Sequence, residues 1–189
     1  MNRRQYLGVA TATMAGLAGC MGDPEYTITD IGVSNMAGPL DYDIEAVDTA
    51  VTVDSPGSLD MTVRNSSQTA VEISNIGVWP FGILALMPAK ENKFKTLLLT
   101  DGYDETDHVE VTANSTRADN TRLVRSLAAS EAVTKRYFVQ GNRLSGSGTY
   151  TLGDYFDGPL LSYRTDDTDS WSERNPTVSV TITERSLLP

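Results

Sequence analysis

The sequence predicts an all-β fold, an antiparallel β-sandwich of about seven to nine short strands. Three observations carry that expectation. Apolar residues recur with a period of two through most of the chain, turn-forming clusters separate these segments, and only one stretch offers helical spacing. Leu59, Met61 and Val63 alternate with Asp60, Thr62 and Arg64, and Val71 and Ile73 alternate with Glu72 and Ser74. The same pattern appears in Val109 and Val111, and in Val178, Val180 and Ile182. Alternation places one set of side chains on each face, so each segment reads as a half-buried strand. Between them lie Ser55-Pro56-Gly57, Asn65-Ser66-Ser67, Asp101-Gly102, Gly141-Asn142 and Gly146-Ser147-Gly148, all turn chemistry. Asp119 or Asn120 is suited to cap one short helix near 119–128, carrying Leu123, Val124 and Leu127. The same residues also suit a strand that runs into a loop at Ala128 to Glu131.

The N-terminal segment has a different character. Arg3-Arg4 precedes an apolar run from Leu7 to Ala18, which ends in Leu17-Ala18-Gly19-Cys20. The run supplies roughly a dozen residues where a membrane-spanning helix needs about 20, so it fits a signal h-region instead. Leu17 to Cys20 resembles a lipobox, and the paired arginines resemble a twin-arginine export signal, read by the pathway that exports folded proteins. The resemblance implies cleavage after residue 19 and lipid on the Cys20 thiol, leaving 170 of the 189 residues. Residues 20–25 then form a tether and residues 26–189 a single β-sandwich domain. At about 3.4 Å per residue, Met21 to Glu25 places the domain within roughly 20 Å of the bilayer.

The composition excludes several functions. The formal net charge is −10 and becomes −12 once Arg3 and Arg4 are removed, which argues against nucleic acid. Asp outnumbers Glu, and Lys90, Lys93, Lys95 and Lys135 are the only lysines. An Asp-rich, Lys-poor surface resembles that of proteins from salt-loving archaea. At molar salt the Debye length is about 3 Å, so self-repulsion is suppressed. Cys20 is the only cysteine, so no disulfide forms within the chain. One histidine and a lipid-bearing cysteine cannot make a blue-copper or zinc site.

A second resemblance concerns the domain. Ser58 to Ile73 resembles the strand, Asn-Ser turn and Val-rich strand of a hairpin in immunoglobulin-like domains of prokaryotic surfaces. Gly148-Thr149-Tyr150-Thr151-Leu152 resembles their late Gly-x-Tyr strand. The opening hairpin is also similar to that of a small bacterial proteinase-inhibitor domain. The resemblance implies an architecture and carries no functional residue across. With the leader, the chain resembles a haloarchaeal lipoprotein exported by the twin-arginine route and built on an immunoglobulin-like domain.

Candidate chemistry is sparse. His108 beside Asp107 is the sole histidine, and no Gly-x-Ser-x-Gly elbow accompanies it, so a Ser-His-Asp triad is not expected. Two acidic groups are weak calcium candidates: Asp101, Asp104, Glu105 and Asp107, and Asp166, Asp167, Asp169 and Glu173. Neither has the EF-hand spacing, and an acidic chain produces such clusters by composition alone. The uncharged stretch from Ile73 to Ala89 centres on Trp79-Pro80-Phe81-Gly82. It reads either as two core strands joined by a turn, or as an exposed Trp79/Phe81 tip that meets a partner or the membrane. Asn65-Ser66-Ser67 and Asn114-Ser115-Thr116 are sequons, expected in exposed turns. The expected function is a lipid-anchored, non-enzymatic binding module without a cofactor, meeting a protein or glycan at the cell surface. The alternative is a small extracytoplasmic hydrolase or inhibitor.

Overall fold

The computed structural model describes residues 25–34, 37–52, 54–89, 94–112 and 115–185, and these are almost wholly β. The strands in chain order begin with β1 (Tyr26–Ser34), β2 (Leu40–Asp48), β3 (Ala50–Val51), β4 (Gly57–Asn65) and β5 (Val71–Ile76). Next come β6 (Leu84–Pro88), β7 (Thr96–Leu97), β8 (Val109–Val111), β9 (Thr116–Ala118) and β10 (Arg122–Leu127). The last are β11 (Ala132–Val139), β12 (Gly148–Asp154), β13 (Leu161–Thr165), β14 (Ser172–Arg174) and β15 (Thr177–Glu184). The count exceeds the expected seven to nine, in large part because β3, β7, β9 and β14 are only two or three residues long. So short a strand carries no readable alternation.

The strands form a six-stranded sheet in the order β3-β1-β15-β12-β6-β7 and a four-stranded sheet, β10-β5-β13-β14. A three-stranded sheet, β11-β4-β2, and the β8-β9 pair complete the set. All the pairings are antiparallel. The arrangement is sandwich-like, because one apolar cluster takes side chains from all three larger sheets. Ile28, Leu86, Leu152 and Val180 come from the first, Ile73, Leu127 and Leu161 from the second, and Leu59, Val63 and Tyr137 from the third. The alternation explains which faces meet: Leu59, Met61 and Val63 are buried while Arg64 is exposed. None of the described helices is long and apolar enough to cross a membrane.

Two expectations are corrected here. The stretch near 119–128 is strand β10, paired from Arg122↔Ile76 to Leu127↔Val71, with no helix. Strand pairing puts Leu123 and Leu127 on the inner face and leaves Val124 outside, 43% exposed, where helical packing would have covered it. Asp119 Oδ1 does accept from the Thr121 N–H at 2.9 Å, but as the start of a strand.

The segment Ser58 to Ile73 is not a hairpin. β4 pairs with β2 and β11, whereas β5 pairs with β10 and β13 in another sheet. The ladder of β4 with β11 reaches Arg64↔Ala132, and the ladder of β5 with β10 begins at Val71↔Leu127. The two ladders are therefore one antiparallel ribbon bent at a corner between Asn65 and Val71, where the chain switches sheets.

Asn65 holds that corner. Its Nδ2 donates to the carbonyls of Thr69 at 2.8 Å and of Leu127 and Ala128 at 3.0 Å each. Its Oδ1 accepts from the Ser67 N–H and hydroxyl at 3.0 and 2.7 Å. The backbone joins too, with the Asn65 N–H donating to Glu131 O and the Ser130 N–H to Asn65 O. Asn65 is 0% exposed, so the expectation of a glycan there is overturned: the nitrogen that would carry it lies inside and is fully engaged. The second sequon, at Asn114, lies outside the described residues, as do Arg3, Arg4 and Cys20.

Candidate functional site

The site is built around the turn that follows β5. Trp79 and Phe81 are 9% and 1% exposed, so the exposed aromatic tip is overturned in favour of core packing. Trp79 Nε1 donates to Ile73 O at 3.2 Å, and Arg125 stacks over the indole at 5.5 Å. The expected pair of core strands exists, but the turn carries the chain from β5 in one sheet to β6 in another. The turn closes tightly, with the Gly82 N–H donating to Val78 O at 2.6 Å. Gly82 has a φ of +76°, and a Cβ there would lie 2.5 Å from Asn75 Oδ1, so both conformation and space call for glycine. Asn75 Nδ2 donates to Pro80 O at 2.8 Å and Leu160 O at 3.0 Å, tying the turn to the start of β13. The Tyr137 hydroxyl donates to Gly82 O at 3.1 Å from the opposite layer, and burial pushes that phenol well up. It stays a neutral donor.

On the outer face of the four-stranded sheet the two central strands present small polar residues. Ser74 of β5 lies opposite Ser162 of β13, and Val124 of β10 flanks Ser74 on the other side. Two segments enclose this row, one running from Ala118 to Arg122 and one from Asp154 to Pro159. The result is a groove of about 310 Å³, near the lower end of the size of small-molecule sites. Ile76, Ile83, Ala118, Phe156 and Pro159 form its apolar lining. Its polar groups are Ser74, Asn75, Asn120, Arg122, Asp154 and Ser162. A more open depression of about 390 Å³ lies elsewhere, between Pro56, Tyr103 and Gln140.

The 154–159 wall is shaped by Asp154. Its Oδ1 accepts from the Phe156 and Gly158 N–H groups at 2.8 and 3.0 Å, folding a tight turn. Asp157 sits in this turn with a φ of +65°. Lys95 braces it from outside, donating to Asp157 Oδ1 at 2.6 Å and to Tyr155 O at 3.0 Å. Tyr155 meets Phe156 edge to face, with centroids 5.1 Å apart. The Phe156 ring rests against Tyr155 and is 51% exposed. Across the groove, Arg122 reaches Ser74 Oγ at 3.5 Å and enters none of the ion pairs of the described residues.

The other candidates do not assemble. Among the described residues no group of three or more His, Cys, Asp and Glu side chains converges on one point. The weak calcium candidates Asp101, Asp104 and Asp107, and Asp166, Asp167 and Asp169, are exposed and form no such group. Glu105 instead pairs with Lys135 at 3.2 Å. His108 Nδ1 lies 2.8 Å from Asp119 Oδ2, at the base of the β8-β9 pair. That contact holds the Asp119 carboxyl below its ordinary range, helped by the bond from Thr121. The contact closes a hairpin and does not face the groove.

Sequence reasoning missed Ser74, Arg122, Asp154, Phe156 and Ser162. Asp154-Tyr-Phe-Asp-Gly158 did contain a signal, since two successive aromatics before Asp-Gly place a large apolar group in a turn. No curated protein and no solved structure matches this chain. A family model covers residues 1–189 in full, and the chain belongs to the family described as a domain of unknown function, DUF8130.

Proposed function

We propose that the chain is an extracytoplasmic binding module, held at a membrane surface by lipid on Cys20, that takes its ligand in the groove of the four-stranded sheet. The groove carries this reading: a polar floor on the four-stranded sheet, an apolar wall, and a half-exposed aromatic ring presented by the turn after β12. Such a combination is the usual make-up of a recognition site, in which apolar contact gives affinity and a few polar groups give orientation. The address is supported by Arg3-Arg4, the short apolar run and Leu17-Ala18-Gly19-Cys20.

A photo-crosslinking residue at position 156, with one at Val47 of β2 as control, tests the reading in whole cells. Light-dependent adducts from position 156 and not from position 47 are expected. Equal labelling from both positions, or none from 156, overturns the binding site. Cys20→Ser is expected to move the chain from the membrane fraction to the soluble fraction. An intact mass showing unmodified Cys20 with the leader still attached refutes the anchor.

A further inference from the structure

We infer that the groove takes a saccharide residue bearing a carboxylate or sulfate, an inference that rests on the binding reading above. The size of the groove sets the first limit. About 310 Å³ accommodates one or two sugar-sized rings and not a folded partner. The polar groups set the second. Asn120 and Arg122 are planar and exposed, and Asp154 keeps Oδ2 outside the two bonds that Oδ1 makes to the turn. Planar groups of this kind meet adjacent hydroxyls with paired hydrogen bonds, the amide and carboxylate as acceptors and the guanidinium as donor. Phe156 adds the third element. Its ring, resting against Tyr155 and half exposed at the mouth, presents a negative face to the C–H groups of a pyranose.

Charge complementarity supplies the anionic substituent. The chain carries a net charge of −10, yet Arg122 lies at the groove without a carboxylate partner among the described residues. Its guanidinium makes a single long contact, to Ser74 Oγ. A planar carboxylate or sulfate satisfies that fork from outside. The ligand's anion then sits at Arg122 and its hydroxyls at Asp154, so that the two negative groups stay apart. A purely apolar ligand would cover the exposed Asn120 and Arg122 without bonding them, and a bare inorganic anion would leave the half-exposed Phe156 ring in water.

The test is isothermal titration of the full chain, purified in detergent, at one fixed salt concentration. The probes are a glucuronate-containing disaccharide, its carboxyl-reduced counterpart and a sulfated disaccharide. The two anionic sugars are expected to bind about tenfold tighter than the reduced one, the effect of one charge-assisted hydrogen bond. Arg122→Gln is expected to abolish that preference, and Phe156→Ala to weaken all three. Both side chains are exposed, so the fold is retained, and near-ultraviolet circular dichroism verifies this. Equal binding of the reduced and acidic sugars, or an unchanged affinity in Phe156→Ala, overturns the inference. No sugar binding alongside specific crosslinking from position 156 also overturns it, while the binding reading survives. Absence of both brings down the two together.

Discussion

Asn65 offers the sharpest test of how this fold is held together. Asn65→Ala removes five side-chain hydrogen bonds, three donated by Nδ2 and two accepted by Oδ1. The bond to Leu127 O is fully buried, whereas the others border solvent that can replace part of the loss. A net loss of about 3 kcal/mol follows, with roughly 1 kcal/mol for each bond that water does not replace and more for the buried carbonyl left bare. Against a total stability of about 5–15 kcal/mol that is a large fraction. At a urea slope of about 1–3 kcal/mol per molar, the midpoint falls by roughly 1–3 M.

Asn65→Asp separates donor from shape. It keeps Oδ1 and turns the donor into an oxygen aimed at three carbonyls, so it is expected to destabilise more than alanine does at neutral pH. Its deficit should shrink on acidification, because the protonated carboxyl regains one donor. Urea unfolding followed by Trp79 fluorescence at two pH values gives the answer. A loss under about 0.5 kcal/mol for Asn65→Ala, or an Asp variant whose deficit grows in acid, refutes the corner-staple argument.

Trp79→Ala is expected to cost about 3–5 kcal/mol, and Trp79→Phe about 1 kcal/mol for the lost bond to Ile73 O; a Trp79→Phe chain as stable as the parent in urea unfolding would show that the indole N–H is not engaged. Gly82→Ala should cost about 1–3 kcal/mol, since φ is +76° and the new methyl meets Asn75 Oδ1, and the same variant should weaken ligand binding by shifting the Asn75 tie to Leu160. A thermal melt identical to that of the parent chain would refute this. Arg136 grips Asp60 with bonds of 2.6 and 2.7 Å, and the Asp60 carboxyl lies below its ordinary value of 3.8 chiefly through those bonds. A depressed folded value means that the contribution is present above about pH 4 and fades as pH falls through it, because the unfolded chain takes up the proton first. Asp60→Asn should therefore lower stability at neutral pH and flatten the acid limb of the stability curve, and parallel curves for the two chains would rule the pair out as a source of acid sensitivity.

What was legible in the sequence was whatever alternation records. Leu59 to Val63, Val71 and Ile73, and Val178 to Ile182 became strands with the predicted inward sets. Alternation does not say which strand pairs with which, so a strand-turn-strand string such as Ser58 to Ile73 reads the same as a hairpin or as a corner. What decides is Asn65, whose amide reaches Leu127 and Ala128, more than sixty positions away. That partnership is invisible locally, and the same asparagine followed by Ser66-Ser67 imitates a glycan acceptor. The groove was hidden for a related reason. Its floor comes from Ser74 and Ser162, set side by side only by the β5-β13 register, and its walls come from turns between other strands.

The register also decides which way the groove faces relative to the proposed tether. Gly148 of β12 lies level with Ile182, and Ile182 lies level with Ile28, two residues from the start of β1. β1 and β12 run in the same direction, each antiparallel to β15 between them. Asp154, at the groove, is six positions further along β12 than Gly148, or about 20 Å at 3.3 Å per residue. The chain thus enters the domain at one end of the sheet, while the groove and the Pro80 turn lie at the other. In the proposed lipid-anchored form, the entry end lies on the bilayer side and Arg122 and Phe156 lie at the far end. Trp79 and Phe81, already buried, would then lie at the end away from the bilayer. This geometry also favours a ligand that reaches the groove from the outside: a surface saccharide meets this condition, and a headgroup of the anchoring bilayer does not.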